Sequence, residues 1–315
     1  MPADSLPTPP SAPEGGADPT GRRFVLEHGD DHAEVTEVAA SLRALTLGGV
    51  EVIARYPDGM PAPGASGIVL FPWPNRVRDG KWTHDGVEHS LAITEPALNN
   101  ASHGLLRFTS YRPTDEATDA VTLMAEVFPQ TGYPFHLVIS VTYALGDDGL
   151  TVTHRIRNLG TDAAPVALGQ HPYLCLGDGP TADVTVQLDA ATRFLVDEQK
   201  VPIGEAPVDA GTDLRKPRKL GELELDTAYS DIVRAQDGRI RAILRAPDAR
   251  AAELWAGPGF DYLQVFTNRK YPGHDMAVAI EPMTAPADAL NSGRGLRWLA
   301  PGEPWTLEWG IRLLG

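Results

Sequence analysis

Alternation of apolar and polar side chains with a period of two residues constrains this chain more than any other feature. In the stretch GLTVTHRIRNLG, residues 149–160, one set of alternate positions is largely apolar, whereas the other carries threonine and arginine. The preceding stretch LVISVTYAL, residues 137–145, alternates in the same way, and GDDG at 146–149 separates the two runs. Successive side chains of a β-strand point to opposite faces of a sheet, so this pattern predicts a hairpin of two half-buried strands.

Short runs of the same kind continue along the chain. They are AVTLMAEVF (120–128), ADVTVQL (182–188), RAILRA (241–246), YLQVFT (262–267), MAVAIEP (276–282) and WTLEWGIRLL (305–314). The stretch EVTEVAASLRALTL, residues 34–47, has the length of a helix, but its valine, serine and threonine content and its later alternation favour strands. With 31 glycines and 28 prolines between such runs, the sequence predicts an all-β protein, a large sandwich or barrel.

The first twenty residues differ in composition from the rest of the chain. The stretch MPADSLPTPPSAPEGGADPT contains six prolines and few side chains that a core would bury. This composition predicts a disordered tail over residues 1–20 and one folded domain over residues 22–315, with the first structured residues near Phe24. A chain of 315 residues is close to the upper limit that a single hydrophobic core supports.

Charge and cysteine content narrow the range of partners and compartments. The formal net charge of -15 disfavours nucleic acid or an anionic membrane as the main partner. No apolar run approaches the length of about 20 residues that spans a bilayer. The one cysteine, Cys175, excludes an intrachain disulfide, and together with an N-terminus that does not resemble a signal peptide it predicts a cytoplasmic protein.

Two ionisable residues lie directly before prolines at the ends of predicted strands. His171 precedes Pro172 in GQHPYL, and Glu281 precedes Pro282 in AVAIEP. A residue before proline is restricted to extended backbone conformations, which limits the directions in which these two side chains can point. The alternate positions before each of them carry only alanine or glycine, which predicts open space beside a charge. An imidazole and a carboxylate held in this way are the components of general acid–base catalysis.

Two further stretches carry polar residues that the strand pattern does not require. FPWPNRVRDGKW, residues 71–82, combines Trp73 and Trp82 with Arg76, either as a sugar-binding surface or as a solvated turn with two partly buried tryptophans. NNASHGLLRF, residues 99–108, places His103 before a glycine, as a turn residue or a site residue. No nucleophile motif or phosphate-binding glycine loop is present, and the histidines and aspartates at 28–32 fit a surface turn better than a metal site.

Taken together, these stretches resemble the aldose 1-epimerase (galactose mutarotase) family. The matching pieces, in chain order, are NRVRDGKWTHDGVEHSL, NASHGL, GQHPYL, LDTAYSD and AIEPMTAPADALNSG, which span residues 75–293. The tripeptide HPY alone is a weak signal, whereas five pieces in order are a strong one. The resemblance implies a β-supersandwich fold, no cofactor or metal, and interconversion of the α and β anomers of free aldoses.

The resemblance also implies a role for each matching residue. Arg76 and His103 match substrate-binding groups, His171 matches the general acid, and Glu281 matches the general base. These residues are expected to line one pocket, with His171 and Glu281 on different sides of the sugar and not in direct contact. Their mutual attraction would raise the pKa of His171 and lower that of Glu281, whereas burial would have the opposite effect.

The identity of one sugar-binding carboxylate and the charge of the substrate stay open. In LDTAYSD, Asp226 matches the carboxylate that holds sugar hydroxyls, and Asp231 is the alternative. The piece HGLLRF is closer to the branch that includes hexose-6-phosphate 1-epimerases, which makes Arg107 a candidate phosphate ligand, but the acidic chain favours a neutral sugar. A non-catalytic carbohydrate-binding protein on the same fold is a third hypothesis. In each case the partner is a small sugar, and a monomer or homodimer is expected.

Overall fold

A computed structural model describes residues 17–315, which form strands joined by turns and loops. Of the predicted tail, residues 1–16 lie outside the described residues. Residues 17–20 are described and contact the domain, since the carbonyl oxygen of Thr20 accepts a hydrogen bond from the amide of Val38 at 3.0 Å. The first strand, Arg23–His28, begins next to Phe24, as the sequence predicts.

The larger of two main sheets has twelve strands. Ten of them follow one another in the spatial order Arg23–His28, Asp31–Thr36, Ser41–Leu47, Val50–Ile53, Tyr173–Leu174, Ala277–Met283, Tyr262–Asn268, Asp226–Ile232, Ala190–Val196 and Pro202–Pro207. The other two lie beside this path: Gly169–Gln170 pairs with Ala277–Met283 and with Val69–Leu70. The stretch 34–47 therefore forms strands and not a helix, as predicted.

The second main sheet has nine strands. Their spatial order is Arg112–Glu116, Ala120–Val127, Leu137–Gly146, Gly149–Asn158, Pro304–Leu314, Ala251–Ala256, Ile240–Arg245, Thr185–Leu188 and Arg218–Lys219. Three two-stranded ladders complete the β structure: Ala164–Val166 with Arg297–Leu299, Arg76–Arg78 with Asn100–Ser102, and Lys81–His84 with Val87–Ser90.

Helical segments in the described part of the chain are short. They comprise the 3-10 turns Pro63–Ala65, Pro96–Leu98, Thr181–Asp183 and Leu220–Glu222 and one α-helical turn, Ala289–Ser292. Within residues 17–315 no helix is long and apolar enough to cross a membrane.

The two main sheets share one apolar core. Every second residue of the strand Leu137–Gly146 is buried, as the alternation predicts. Val141 of the second sheet belongs to the same buried cluster as Leu42 and Val265 of the larger sheet. Burying one such aliphatic side chain stabilises a fold by about 1.5–3 kcal/mol, so the shared core holds the sheets together. The prediction of an all-β sandwich in a single domain is confirmed.

The strand Ala277–Met283, near the middle of the larger sheet, has two different faces. Val278 and Ile280 point into the shared core. Ala279 packs on the opposite, outer face in a separate buried cluster. Because side chains alternate along a strand, Glu281 lies on this outer face as well. The outer face of the larger sheet is therefore where a ligand can reach Glu281.

Candidate active site

A cavity of about 380 Å³ opens on the outer face of the larger sheet. The six residues that the sequence singles out line it: Arg76, His103, Arg107, His171, Asp226 and Glu281. Ligand sites commonly enclose about 300–1,000 Å³, so the cavity suits a small molecule. Within residues 17–315 no group of three or more histidine, cysteine or carboxylate side chains is arranged to hold a metal ion.

His171 and Glu281 lie side by side in this cavity. The Nε2 atom of His171 is 3.3 Å from Oε1 of Glu281, and both side chains are more than nine-tenths buried. The expectation that these groups stand on different sides of a sugar without direct contact is wrong. The anomeric hydroxyl and the ring oxygen of a sugar are bonded to the same carbon, so an acid and a base that reach both atoms must be neighbours.

Backbone hydrogen bonds and one aromatic ring fix the imidazole of His171. Its amide donates to the carbonyl oxygen of Ile68 at 3.1 Å, and its own carbonyl oxygen accepts from the amide of Gly67 at 2.7 Å. The ring of Tyr173 stacks on the imidazole, with centroids 5.0 Å apart and an interplanar angle of 28°. The backbone of His171 is therefore restricted by Pro172 and by these hydrogen bonds, and one face of its imidazole packs on Tyr173.

Burial controls the protonation of the His171–Glu281 pair. It lowers the pKa of His171 to about 3. Burial also raises the pKa of Glu281 well above its ordinary value, and the charge of Asp226 adds to this shift. Burial therefore outweighs the mutual attraction of the two groups. In the free protein burial thus favours a neutral imidazole beside a protonated carboxyl group.

The small residues that precede His171 and Glu281 do not leave open space, contrary to the expectation from the sequence. Ala279 is fully buried, in a cluster that includes Tyr173 and Tyr271. A Cβ atom at Gly169 would lie 2.9 Å from the side chain of Pro74. These positions are small because neighbouring groups pack directly against the backbone, and the cavity lies beside Glu281 rather than over the small residues.

A carboxylate holds Arg76 at the wall of the cavity. The Nε and Nη2 atoms of Arg76 donate to the two carboxylate oxygens of Glu95 at 2.8 and 3.0 Å, and Nη1 is 3.3 Å from Oδ1 of Asn75. Such a bidentate pair fixes the plane of a guanidinium. Glu95 and Asn75 both line the cavity, and neither could be predicted from the sequence because neither belongs to a distinctive spacing.

A tight turn carries His103 into the cavity. The imidazole of His103 meets that of His171 edge to face, with ring centroids 5.5 Å apart. His103 has a positive φ of 64°, and its amide donates to the carbonyl oxygen of Asn75 at 2.8 Å. Gly104 also has a positive φ, of 75°, and a side chain there would collide with the carbonyl oxygen of Phe71. His103 is therefore both a turn residue and a cavity residue.

Asp226, and not Asp231, lies in the cavity. The Oδ1 atom of Asp226 accepts a hydrogen bond from Nε2 of Gln264 at 2.7 Å. Asp231 is exposed and accepts from the hydroxyl of Thr192 at 2.6 Å. Gln264 lines the cavity because it pairs with Glu281 across the adjacent strand. That pairing has no signal in the sequence, so Gln264 could not be predicted.

Arg107 lines the cavity as well, and it forms no ion pair with a side chain of residues 17–315. Its Nη1 atom donates to the carbonyl oxygen of Ser102 at 3.3 Å, and its guanidinium lies 4.7 Å from the ring centre of Phe108. The Nε atom is buried and has no hydrogen-bond partner in the described part of the chain. The carboxylate of Glu95 attracts this guanidinium without pairing with it, so the Nε atom stays available to an anionic group of a ligand.

The two tryptophans of the first polar stretch belong to the core. Trp73 and Trp82 are each at most 2% exposed, and neither lines the cavity. The indole N–H of Trp82 donates to the carbonyl oxygen of Gly132 at 2.8 Å. The interpretation of these rings as a sugar-binding surface is wrong, and the aromatic lining comes from Tyr173 and Phe266.

Two residues of the stretch PMTAPADALNSG tie separate segments of the site together. The hydroxyl of Thr284 accepts from the amide of Leu168 at 2.9 Å, and the amide of Thr284 donates to the carbonyl oxygen of Leu168 at 2.8 Å. The amide of Asp288 donates to the carbonyl oxygen of Arg76 at 2.6 Å, and its carboxylate accepts from the amide of Arg78 at 3.0 Å. These bonds give the polar residues of this stretch a structural role.

The fold and the cavity define a class of β-sandwich proteins with a buried imidazole–carboxylate pair. The family model described as aldose 1-epimerase matches residues 22–312, and the chain belongs to this family. The uncharacterized protein YihR of Escherichia coli is 33% identical over 295 residues, 93% of each chain. Human galactose mutarotase is 33% identical over 164 residues, which cover 50% of this chain and 47% of the human protein.

Solved structures share the fold over nearly the whole chain. An aldose epimerase homologue from C. elegans has a TM-score of 0.81 at 18% identity, with 95% of this chain and 99% of that chain covered. A galactose mutarotase-like protein from Clostridium acetobutylicum has a TM-score of 0.76 at 17% identity, covering 92% and 94%. The predicted β-supersandwich is confirmed.

Proposed function

We propose that this protein is an aldose 1-epimerase that interconverts the α and β anomers of a free aldohexose. The observation that carries the proposal is the contact between His171 and Glu281 inside a cavity that Arg76, His103 and Asp226 also line. Membership in the family and partial similarity to galactose mutarotases support it.

Ring opening requires two proton transfers at neighbouring oxygen atoms. The carboxylate of Glu281 takes the proton of the O1 hydroxyl while the imidazolium of His171 protonates the ring oxygen O5. The C1–O5 bond breaks, its electron pair goes to O5, and a double bond forms between C1 and O1. Rotation about C1–C2 and the reverse transfers then give the other anomer. The protein supplies position and proton exchange, and no other reagent is needed.

The protonation of the pair fits this cycle. Ring opening begins with ionised Glu281 and protonated His171, and it ends with the proton on Glu281 and neutral His171. Both states hold one proton in total, and burial favours the second of them in the free protein. A proton shift across the 3.3 Å contact between the two side chains interconverts these states. The free pair therefore reaches its reactive form without a proton from solvent, and ring closure restores that form.

The other cavity residues hold the sugar. Arg76, fixed by Glu95, presents donors, and Asp226, fixed by Gln264, presents an acceptor. Sugar hydroxyls both donate and accept, so a wall that mixes the two groups can bind several of them at once. The neutral His103 beside His171 adds a further polar contact, since burial lowers its pKa well below the ordinary value.

Polarimetry tests the proposal directly. Freshly dissolved α-glucose and α-galactose should reach rotational equilibrium faster with the protein than without it, after correction for spontaneous mutarotation. A protein that binds these sugars without any acceleration would instead be the non-catalytic carbohydrate-binding protein.

A second candidate function is the same reaction on an aldose that carries an anionic group, such as a hexose 6-phosphate. The observation that favours it is Arg107, which lies in the cavity without an ion-pair partner in residues 17–315. Against it, three carboxylates line the same cavity, those of Glu95, Asp226 and Glu281.

Replacement of Arg107 measures the contribution of an anionic group. If the substrate carries an anionic group, Arg107→Ala should lower kcat/KM for glucose 6-phosphate at least about tenfold more than for glucose, because a hydrogen bond to a charged group contributes about 1.5–3 kcal/mol. Arg107→Lys, which keeps the charge, is the matched control and should recover part of this difference. Parallel kinetics with both sugars measure it, and equal losses on the two substrates would remove the second candidate.

A further inference from the structure

Behind His171, a group of polar side chains crosses the apolar core between the two main sheets. We call it the inter-sheet polar cluster. It consists of Gln170 from the larger sheet and of Tyr143, His154 and Trp309 from the second sheet, all of them fully buried. Polar groups in a core are costly unless they are paired, and the proposed reaction makes no use of these four. Their presence therefore calls for another role.

Gln170 is the centre of this cluster. Its Nε2 atom donates to the hydroxyl of Tyr143 at 2.5 Å and to the carbonyl oxygen of Gly67 at 3.1 Å. Its Oε1 atom accepts from the indole N–H of Trp309 at 3.1 Å, and the same N–H is 3.2 Å from Nε2 of His154. If the amide oxygen and nitrogen of Gln170 changed places, the oxygen would face the carbonyl oxygen of Gly67, and the NH₂ group would face the indole N–H of Trp309. Neither pair can form a hydrogen bond. The partners thus permit one orientation of the amide.

Gly67 connects the cluster to His171. The carbonyl oxygen of Gly67 accepts from the side chain of Gln170 and from the amide of Leu42, each at 3.1 Å, and the amide of Gly67 donates to the carbonyl oxygen of His171 at 2.7 Å. The amide of His171 in turn donates to the carbonyl oxygen of Ile68 at 3.1 Å. Gly67 has a positive φ of 69°, and a side chain there would collide with the backbone of Leu42, so this segment has little freedom to shift.

We propose that Gln170 is a positioning residue that holds His171 in place through Gly67 and the inter-sheet polar cluster. The assignment rests on the proposed function for its kinetic consequence. Gln170 and His171 are consecutive, so their side chains point to opposite faces, one into the core and one into the cavity. A displacement of about 1 Å in a reacting group can cost about 100-fold in rate, so the cluster affects proton transfer without touching the sugar.

Kinetics in two backgrounds test this role. We expect Gln170→Ala and Gln170→Glu to lower kcat by about 10–100-fold with KM changed less than about threefold. The matched control is Tyr133→Phe, which removes another buried hydrogen bond, the one to the carbonyl oxygen of Pro165 at 2.6 Å, and should leave kcat within about threefold. In the His171→Asn background, Gln170→Ala should change the residual rate by less than about threefold. Equal losses in both backgrounds would overturn the assignment.

Histidine NMR signals give a test that does not need activity. The ring signals of His171 are identified by their loss in His171→Asn, and they should shift in Gln170→Ala and stay in place in Tyr133→Phe. If Gln170→Ala does not fold, Tyr143→Phe, which removes one partner of Gln170, should move the same signals. Unchanged His171 signals would overturn the positioning role even in an active epimerase. A wild-type protein that accelerates no aldose would refute the proposed function and leave this comparison valid.

Discussion

The His171→Asn variant should lose about 10²–10⁴-fold in kcat on the aldose that the wild type converts best. Asparagine can fill part of the space and form hydrogen bonds, but it cannot carry the proton that the ring oxygen must receive. The loss should appear in kcat more than in KM, since the proton transfer occurs only in the transition state. Polarimetry with subtraction of spontaneous mutarotation measures it.

A second histidine provides a matched control for this substitution. His136 lies 3.1 Å from Glu126, in a contact like that of His171 and Glu281 but partly exposed and outside the cavity. His136→Asn should keep kcat within about threefold of the wild type. A His171→Asn enzyme within the same factor would contradict the role of His171 as the acid.

The Glu281→Gln variant should lose activity by a similar factor of about 10²–10⁴, because an amide cannot take the proton of the O1 hydroxyl. The same change should make the protein more stable at alkaline pH. Burial raises the pKa of Glu281 in the folded state, so its contribution to stability is fully present below the unfolded pKa of about 4.3 and is lost as pH rises through the folded value. Glutamine does not ionise and avoids this loss.

Thermal unfolding across the pH range measures the second half of this prediction. The Tm of Glu281→Gln minus that of the wild type should increase from pH 4 to pH 9, by about 2 °C for each kcal/mol of ionisation cost. The control is Glu126→Gln, at the partly exposed contact with His136, whose Tm difference should vary less with pH. A difference that does not grow with pH would mean that burial does not govern the ionisation of Glu281.

The strands could be predicted from the sequence because their alternation reflects a sheet with one buried face. The runs at 137–145 and 149–160 correspond to the strands Leu137–Gly146 and Gly149–Asn158, with the turn where GDDG stands. The arrangement of strands in two large sheets has no such local signal. The strand order depends on pairings such as that of Gly149–Asn158 with Pro304–Leu314, which are about 150 residues apart in the chain. Only the resemblance to a family predicts this order.

The site was partly predictable for the same reason. A proline after a charged residue at a strand end is visible in the sequence, and both His171 and Glu281 line the cavity. The small residues before His171 do not mark open space, since a Cβ atom at Gly169 would press against Pro74. Asn75 reaches the cavity because of a turn, and Gln264 because its strand pairs with that of Glu281. The residue type alone, asparagine or glutamine, predicts neither position.

The most direct test of this account is a double-mutant cycle on the rate of anomer interconversion. The wild type, His171→Asn, Glu281→Gln and the double variant are compared by polarimetry on freshly dissolved α-galactose and α-glucose. If the two side chains exchange one proton across their 3.3 Å contact, each single change disables the pair, and the double variant should be about as slow as the slower single variant. Losses that multiply, or a wild type that does not accelerate either sugar, would contradict the account.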